Sequence, residues 1–332
     1  MPKAEAVEPL ISGASRAQIV AILGAMRAIA DTGRGATASD QAAIESAARY
    51  MFGYDGPVDP QSAPIVSPDA LATALAGSNL AGDAAKFMTI MAVIDAPVDD
   101  AKFSAVLTYA GKLGIHARYL DEIAEAARQH LQEALADMTR ANMVSITGHP
   151  WAGGDAGAWL LPYQGKAADP ALAARFTELK DLDQKTFGYQ FWAHFNRNGY
   201  AFPGDPRGLN AAFSLPHDTV HVVTGYDTVA RGEILASTFT AAMHRSFPMA
   251  GHILPAIFSW HLRVEINKVA GAYGGALDPR EVWRAYAAGA QCRTDTFAPG
   301  WDFWAYVVRP IEDLRREWNI PVGGLQPLGA HS

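Results

Sequence analysis

The chain has a single cysteine, Cys292, in 332 residues. That excludes an internal disulfide framework and any metal site built from several thiolates, and it makes a reducing compartment the expected setting. Charge is also sparse, at 18% of residues against 49% hydrophobic, with a net value of -7. No basic stripe is present to neutralise phosphates, so nucleic acid is not an expected partner. Runs of alternating β-branched residues are nearly missing. Ala, Leu, Met and Glu dominate the periodic segments, so the expected fold class is all-α.

The opening MPKAEAVEPL has neither an apolar signal core nor the Arg-rich character of a mitochondrial presequence, and a cytoplasmic location is expected, at most peripheral to the inner membrane. The longest apolar run, residues 249–273, carries His252, His261, Arg263, Glu265 and Lys268. It reads as a buried or lipid-touching helix, not a crossing one.

The length allows two domains. Residues 16–135 hold a weak internal repeat. An apolar helix ends near Ile29-Ala30-Asp31 and a second, capped by Ser39-Asp40, runs to Phe52; the pattern recurs from Phe87 to Asp95, turns through Ala96-Pro97-Val98, restarts at Asp99-Asp100 and continues to Leu113. Residues 57–68, with their prolines, are a loop between the copies. Helix, acidic turn, helix, used twice, resembles the tellurite-resistance TerB-like domain. The acidic turns are cation-site candidates, but N-capping by Asp40 and Asp99 explains them as well or better. Gly148, Pro150, Gly153, Gly154, Gly157 and Pro162 interrupt any helix after Met143, while Trp151, Trp159 and Tyr163 predict a connector that packs down. The expected division is a helical domain over residues 1–145, a connector over 146–177 and a second helical domain over 178–332, with a frayed tail after Pro321.

The chemistry gathers in PHDTVHVVTGYDTVARGEI, residues 216–234. At about 100° per residue, His217, Asp218 and His221 fall within a single arc of roughly 100°. Gly225 can take the left-handed conformation that ends a helix, so Glu233 would open the next one and face back. Two imidazoles and two carboxylates among apolar flanks, Phe213, Leu215, Val220, Val222 and Val223, make a four-ligand site for zinc or a similar divalent ion. Burying so many ionisable groups without a cation would cost several kcal/mol.

The order His-Asp, two spacers, His, eleven spacers, Glu resembles the signature of the ubiquinone (coenzyme Q) biosynthesis protein 4 family. Val222-Val223-Thr224-Gly225 with Gly232-Glu233 is similar to the family's flanks, as are Thr186-Phe187-Gly188 with Ala193 and Phe195 upstream and Phe247-Pro248-Met249, Trp283, Gly289 and Pro310-Ile311-Glu312-Asp313-Leu314-Arg315 with Ile320 downstream. The likeness spans roughly residues 178–321. It departs at Ser214-Leu215-Pro216, where the family usually carries charge.

The resemblance implies a metal-binding helical domain, a polyprenylated aromatic quinone precursor as ligand, and either oxidative decarboxylation of the ring or organisation of other quinone-biosynthesis enzymes. Contact with a membrane surface and pairing with a second copy are left open. Apolar helices over residues 234–243 and 253–264 would hold the prenyl tail. Candidate headgroup partners are Arg231, His244, Arg245, His252 and Trp260, with His261 and Arg263 behind them, and Asp227 is placed to orient a metal-bound imidazole. Zinc cannot supply electrons, so oxygen chemistry would call for a redox metal. Two other classes compete: a non-catalytic lipid-binding scaffold with a structural metal, and a zinc hydrolase, which would be expected to show His-Glu in place of His217-Asp218.

Overall fold

In the first half, short polar side chains satisfy the unpaired first-turn amides of the helices that begin at Arg16, Ala38, Pro68 and Asp100. The computed structural model of the chain describes residues 10–54, 64–97, 99–128, 130–151, 153–264 and 274–325. Ser15 and Gln18 exchange side-chain and backbone bonds to open α1 (Arg16–Ala30). Thr37 and Asp40 do the same for α2 (Ala38–Phe52), which stops at left-handed Gly53. The cap is therefore Thr37, whose backbone is extended, and not Ser39, which already lies in the helix; Asp40 returns its carboxylate to the Thr37 amide at 3.0 Å. α3 (Pro68–Leu75) and α4 (Ala81–Ala92) follow, and Asp99 caps α5 (Asp100–Lys112) by accepting the Ala101 amide at 3.0 Å. After α6 (Arg118–Ala127), α7 (Leu131–Thr147) ends at left-handed Gly148. Val98, most of the loop read over residues 57–68 and the last residues of the tail lie outside the described residues.

The connector is less irregular than its glycines predict. Asp155 accepts the Gly157 amide and starts a short α8 (Ala156–Leu160), and the Trp151 and Trp159 rings meet edge to face at 6.4 Å. The second half comprises α9 (Pro170–Thr177), α10 (Phe187–Asn198), α11 (Ala211–Thr224), α12 (Ala230–His244), α13 (Leu254–Trp260), α14 (Pro279–Gln291) and α15 (Ile311–Glu317). Among the described residues the fold is all-helical, with only two isolated bridges, Thr186 to Pro310 and Leu262 to Gly274. No described helix is long and apolar enough to cross a membrane.

One expected helix is broken. The stretch over residues 253–264 begins in a π-helical turn, Pro248–Ile253, and α13 ends at Trp260. His261 leaves the helix because its ring is used elsewhere: Nε2 donates to the Ile94 carbonyl (3.0 Å) and Nδ1 accepts the Leu277 amide (3.3 Å). Glu265 and Lys268 lie outside the described residues.

α12 runs through the middle of the second half against α11, α13 and α14, and α14 also lies on α2. The Phe87 ring of α4 meets fully buried Trp283 edge to face at 5.0 Å. Truncating buried rings costs roughly 3–5 kcal/mol, so such contacts couple the halves, and buried side chains from both form one core. The scattered motifs also have a packing logic. Phe187 and Gly188 donate their amides to Arg309 and Val307 carbonyls at 2.8 Å, and a Cβ on Gly188 would come within 2.7 Å of the latter. Arg315 donates to the Val223 (2.9 Å) and Val222 (3.1 Å) carbonyls, placing a cation at the negative end of α11.

Candidate metal centre and adjoining cavity

α11 starts where the Asn210 side chain accepts the Ala212 amide and stops at Gly225, with φ 78°. Between them His217 and His221 stand one turn apart on the same face. The chain turns back through Asp227, whose carboxylate accepts the Val229 amide at 3.3 Å, and α12 then carries Glu233 in its first turn. Gly232 approaches the Asp227 carbonyl so closely that a Cβ would overlap it. A larger residue there would push Glu233 away from the histidines.

The three groups form a triangle. His217 Nε2 lies 3.2 Å from His221 Nε2 and 3.4 Å from Glu233 Oε2, and His221 Nε2 lies 3.6 Å from Glu233 Oε1. A tetrahedral ion with bonds of 2.0–2.1 Å has ligand–ligand edges of about 3.3 Å. The two imidazole nitrogens stand about one such edge apart, the two Glu233 contacts end on different oxygens of its carboxylate, and one atom from each residue lies within 4.8 Å of the others, so His217, His221 and Glu233 can together hold an ion. His221 is also preset for it: its Nδ1 faces the Tyr226 carbonyl at 3.1 Å, so Nδ1 carries the proton and Nε2 offers its lone pair. The orienting group is thus the backbone of Tyr226 in place of Asp227, whose carboxylate is occupied by the turn.

Electrostatics point the same way. Burial opposes charge on His221, but the Glu233 and Asp218 carboxylates outweigh it and raise the imidazole to about 9. Burial likewise opposes the Glu233 anion, yet His221 and His217 hold its carboxyl well below the usual range. The same carboxylate field that favours a proton on His221 would favour a divalent ion in its place, whose binding releases that proton.

Asp218 is drawn elsewhere in this arrangement. Its Oδ1 lies 3.3 Å from Nε2 of His194, a buried residue of α10 whose ring stacks on His221 with centroids 5.6 Å apart. An aromatic cluster fixes α10 there: Phe191 meets Phe303 at 4.7 Å and Phe195 stacks on Phe202 at 4.9 Å. Sequence reading missed His194 although it stands between Ala193 and Phe195, both already part of the resemblance. It has no metal-ligand spacing to another residue, and only the fold brings it to Asp218.

A cavity of about 530 Å³ adjoins the cluster, with His217, Asp218 and Glu233 in its wall. Its apolar lining comes from Met138, Met143 and Ile146 of α7, Leu160 and Leu161 at the connector, and Phe213, Pro255, Trp260 and Phe297. The expected wall over residues 234–243 is mostly spent on the core: Ile234, Leu235 and Phe239 are buried, and α12 turns Ser237 and Thr240 to the cavity instead. Helix α7 was not foreseen as a wall because its role depends on how the halves pack.

Of the headgroup candidates, His252 and Trp260 line this cavity. Arg231 is directed at α14, its Nε donating to Glu281 at 3.2 Å. His244 is clamped between the Asp295 carboxylate (2.9 Å) and the Ser145 carbonyl (3.0 Å). Arg245 takes the left-handed position that ends α12. His261 and Arg263 are on the far side of the α13 terminus, the former bonded as described and the latter packed on Gly274. No family model matches the chain, and no curated protein matches it.

Proposed function

We propose that the chain is a ubiquinone-biosynthesis-related protein that binds a prenylated aromatic quinone precursor beside a divalent ion held by His217, His221 and Glu233, with Asp218 next to them in the cavity wall and paired with His194. The observation that carries this reading is the juxtaposition of a three-ligand triangle with a largely apolar cavity of about 530 Å³. That is a size typical of small-molecule sites. An anionic head gains the cation and a hydrocarbon tail gains burial at about 25 cal/mol per Å². The resemblance over residues 178–321 supplies the ligand class, and residues 1–145 are read as a TerB-like helical domain joined through the connector over 146–177. A bound ion would supply Lewis acidity toward a ring carboxylate or phenol oxygen; zinc suffices for that, whereas oxidative decarboxylation calls for a redox-active metal. Among the chain's own groups, α7 and Trp260 give the cavity an apolar wall, and the Tyr226 carbonyl holds the imidazole tautomer. A place at the inner membrane surface, near other enzymes of quinone assembly, follows from the ligand class.

A hydrolase reading is weaker. Its general base would be Asp218, which is engaged by His194. The test uses the full chain loaded with zinc or iron and prenylated 4-hydroxybenzoates of increasing tail length, followed by tryptophan quenching and carbon dioxide release. Affinity should rise in steps with tail length, and metal removal should penalise charged heads more than neutral ones. Affinity independent of tail length would sink the reading. Binding without carbon dioxide under oxygen, with either metal, would select the lipid-binding scaffold over the enzyme.

A further inference from the structure

We infer that His252 is a second polar anchor of the cavity, a neutral imidazole whose bare Nδ1 accepts a hydrogen bond from a hydroxyl on the ligand's head. This rests on the cavity being the ligand site proposed above. The hydroxyl of Ser145, at the end of α7, lies 2.9 Å from the Ser246 carbonyl and 2.7 Å from His252 Nε2. A carbonyl can only accept, and a serine hydroxyl has one proton. Both contacts are hydrogen bonds only if Ser145 donates to Ser246 and His252 Nε2–H donates to Ser145 Oγ. The other assignment would leave two acceptor oxygens facing each other at 2.9 Å. The proton of His252 is thus held on Nε2, and Nδ1 is left with its lone pair.

Nδ1 has no protein partner among the described residues, and the ring lines the cavity. The residue is otherwise buried, yet Nδ1 is not among the buried polar atoms left without a partner, so this acceptor is reached from the cavity and a ligand hydroxyl can meet it there. The ring also stays neutral: burial, then the imidazoles of His244 and His217, push it down to about 3. His244 next to it is the opposite case, since both its nitrogens face acceptors and Asp295 favours its charged form against burial. The arrangement is not a hydrolytic triad. Asp295 orients His244 and not His252, and Ser145 is absent from the cavity lining.

The probes are 3-geranyl-4-hydroxybenzoate and its 4-O-methyl ether, which share tail and carboxylate and differ in the donor. Metal-loaded wild type should bind the phenol about tenfold more tightly. Asparagine places an oxygen near the position of Nδ1 and glutamine near that of Nε2, so His252→Asn should keep much of the preference. His252→Gln, which can still bond Ser145, should lose it. Metal content and the helical melt, measured on both variants, guard against misfolding. Preference retained in a folded, metal-loaded His252→Gln would overturn the inference. If neither probe binds wild type, the proposed ligand class fails separately, and the tautomer is read without ligand from ¹⁵N-histidine spectra of the full chain, using His252→Gln to assign the signal. Nδ1 unprotonated from pH 6 to 8 supports the inference, and Nδ1 protonated overturns it.

Discussion

The turn between α1 and α2 and the turn between α11 and α12 each bury a small cluster of ionisable groups, but they find their cation differently. In the first, Asp40 is fully buried and Lys102 of α5 sets its Nζ 3.0 Å from both carboxylate oxygens, with Asp95 at 3.8 Å. Thr37 bonds both acids, its amide donating to Asp40 at 3.0 Å and its hydroxyl to Asp95 at 2.7 Å. In the second, His217, His221 and Glu233 face one another with no lysine or arginine ion-paired to them among the described residues. Acidic turns alone do not make a metal site. What separates the two is whether the chain supplies a cation of its own, and at the N-terminal turn it does.

The largest effect expected from this contrast is on stability. Lys102→Met would leave Asp40 buried without its partner, a loss of about 3–5 kcal/mol. Replacing Asp40 by Leu as well should recover much of it, because a well-packed apolar pair is often as good as a buried ion pair. Urea denaturation of the single and double variants measures both. Metal content should be unchanged throughout; a variant of Asp40 that lost a bound ion would show that the N-terminal turn is a second site and break the comparison.

At the other turn the cation should be exchangeable. With free zinc at a hundred times its dissociation constant, the folded state should gain about 2.7 kcal/mol, and chelator should remove that gain. His221→Ala and Glu233→Ala should bind no stoichiometric metal and show a melt indifferent to chelator. Equal metal in wild type and both variants would mean that the triangle holds no ion.

How much of this was legible in the sequence follows the range of the interactions. The α1–α2 and α4–α5 units and the stop at Gly225 were readable because caps and left-handed glycines act within a few residues. The pairing of His217 with His221 was readable from helical period, and Glu233 from the turn that follows. His194, the Tyr226 carbonyl, Ser145 and the α7 wall were not, since each reaches the site through tertiary packing and leaves no periodic trace. Lys102 was hidden for the same reason: it lies 62 residues from Asp40. The break after Trp260 came from a histidine satisfied by distant backbone, which composition does not reveal.

A third buried charge sharpens the comparison with the smallest effect. Glu122 on α6 is fully buried and neither carboxylate oxygen has a hydrogen-bond partner; Arg118 Nε, 3.8 Å away and partly exposed, is too distant to donate. It has neither the internal cation of Asp40 nor histidines to gather a metal, so it should answer with a proton. Burial raises its carboxyl to about 8, against the pull of Arg118. In the unfolded chain the same group ionises near 4.5. Between these values the unfolded chain has released the proton while the folded one keeps it. Glu122 is thus without penalty below about 4.5, costs more stability as pH rises toward 8, and costs a constant amount above it. Linkage sets a ceiling of ~5 kcal/mol, and local relaxation and water entry should reduce this to about 2 kcal/mol. Glu122→Gln should remove that slope, making the variant more stable than wild type at pH 8.5 and nearly equal at pH 4.5, as read from urea midpoints across the range. A slope that survives the substitution would mean that Glu122 is ionised in the folded protein and that Arg118 neutralises it as Lys102 does Asp40.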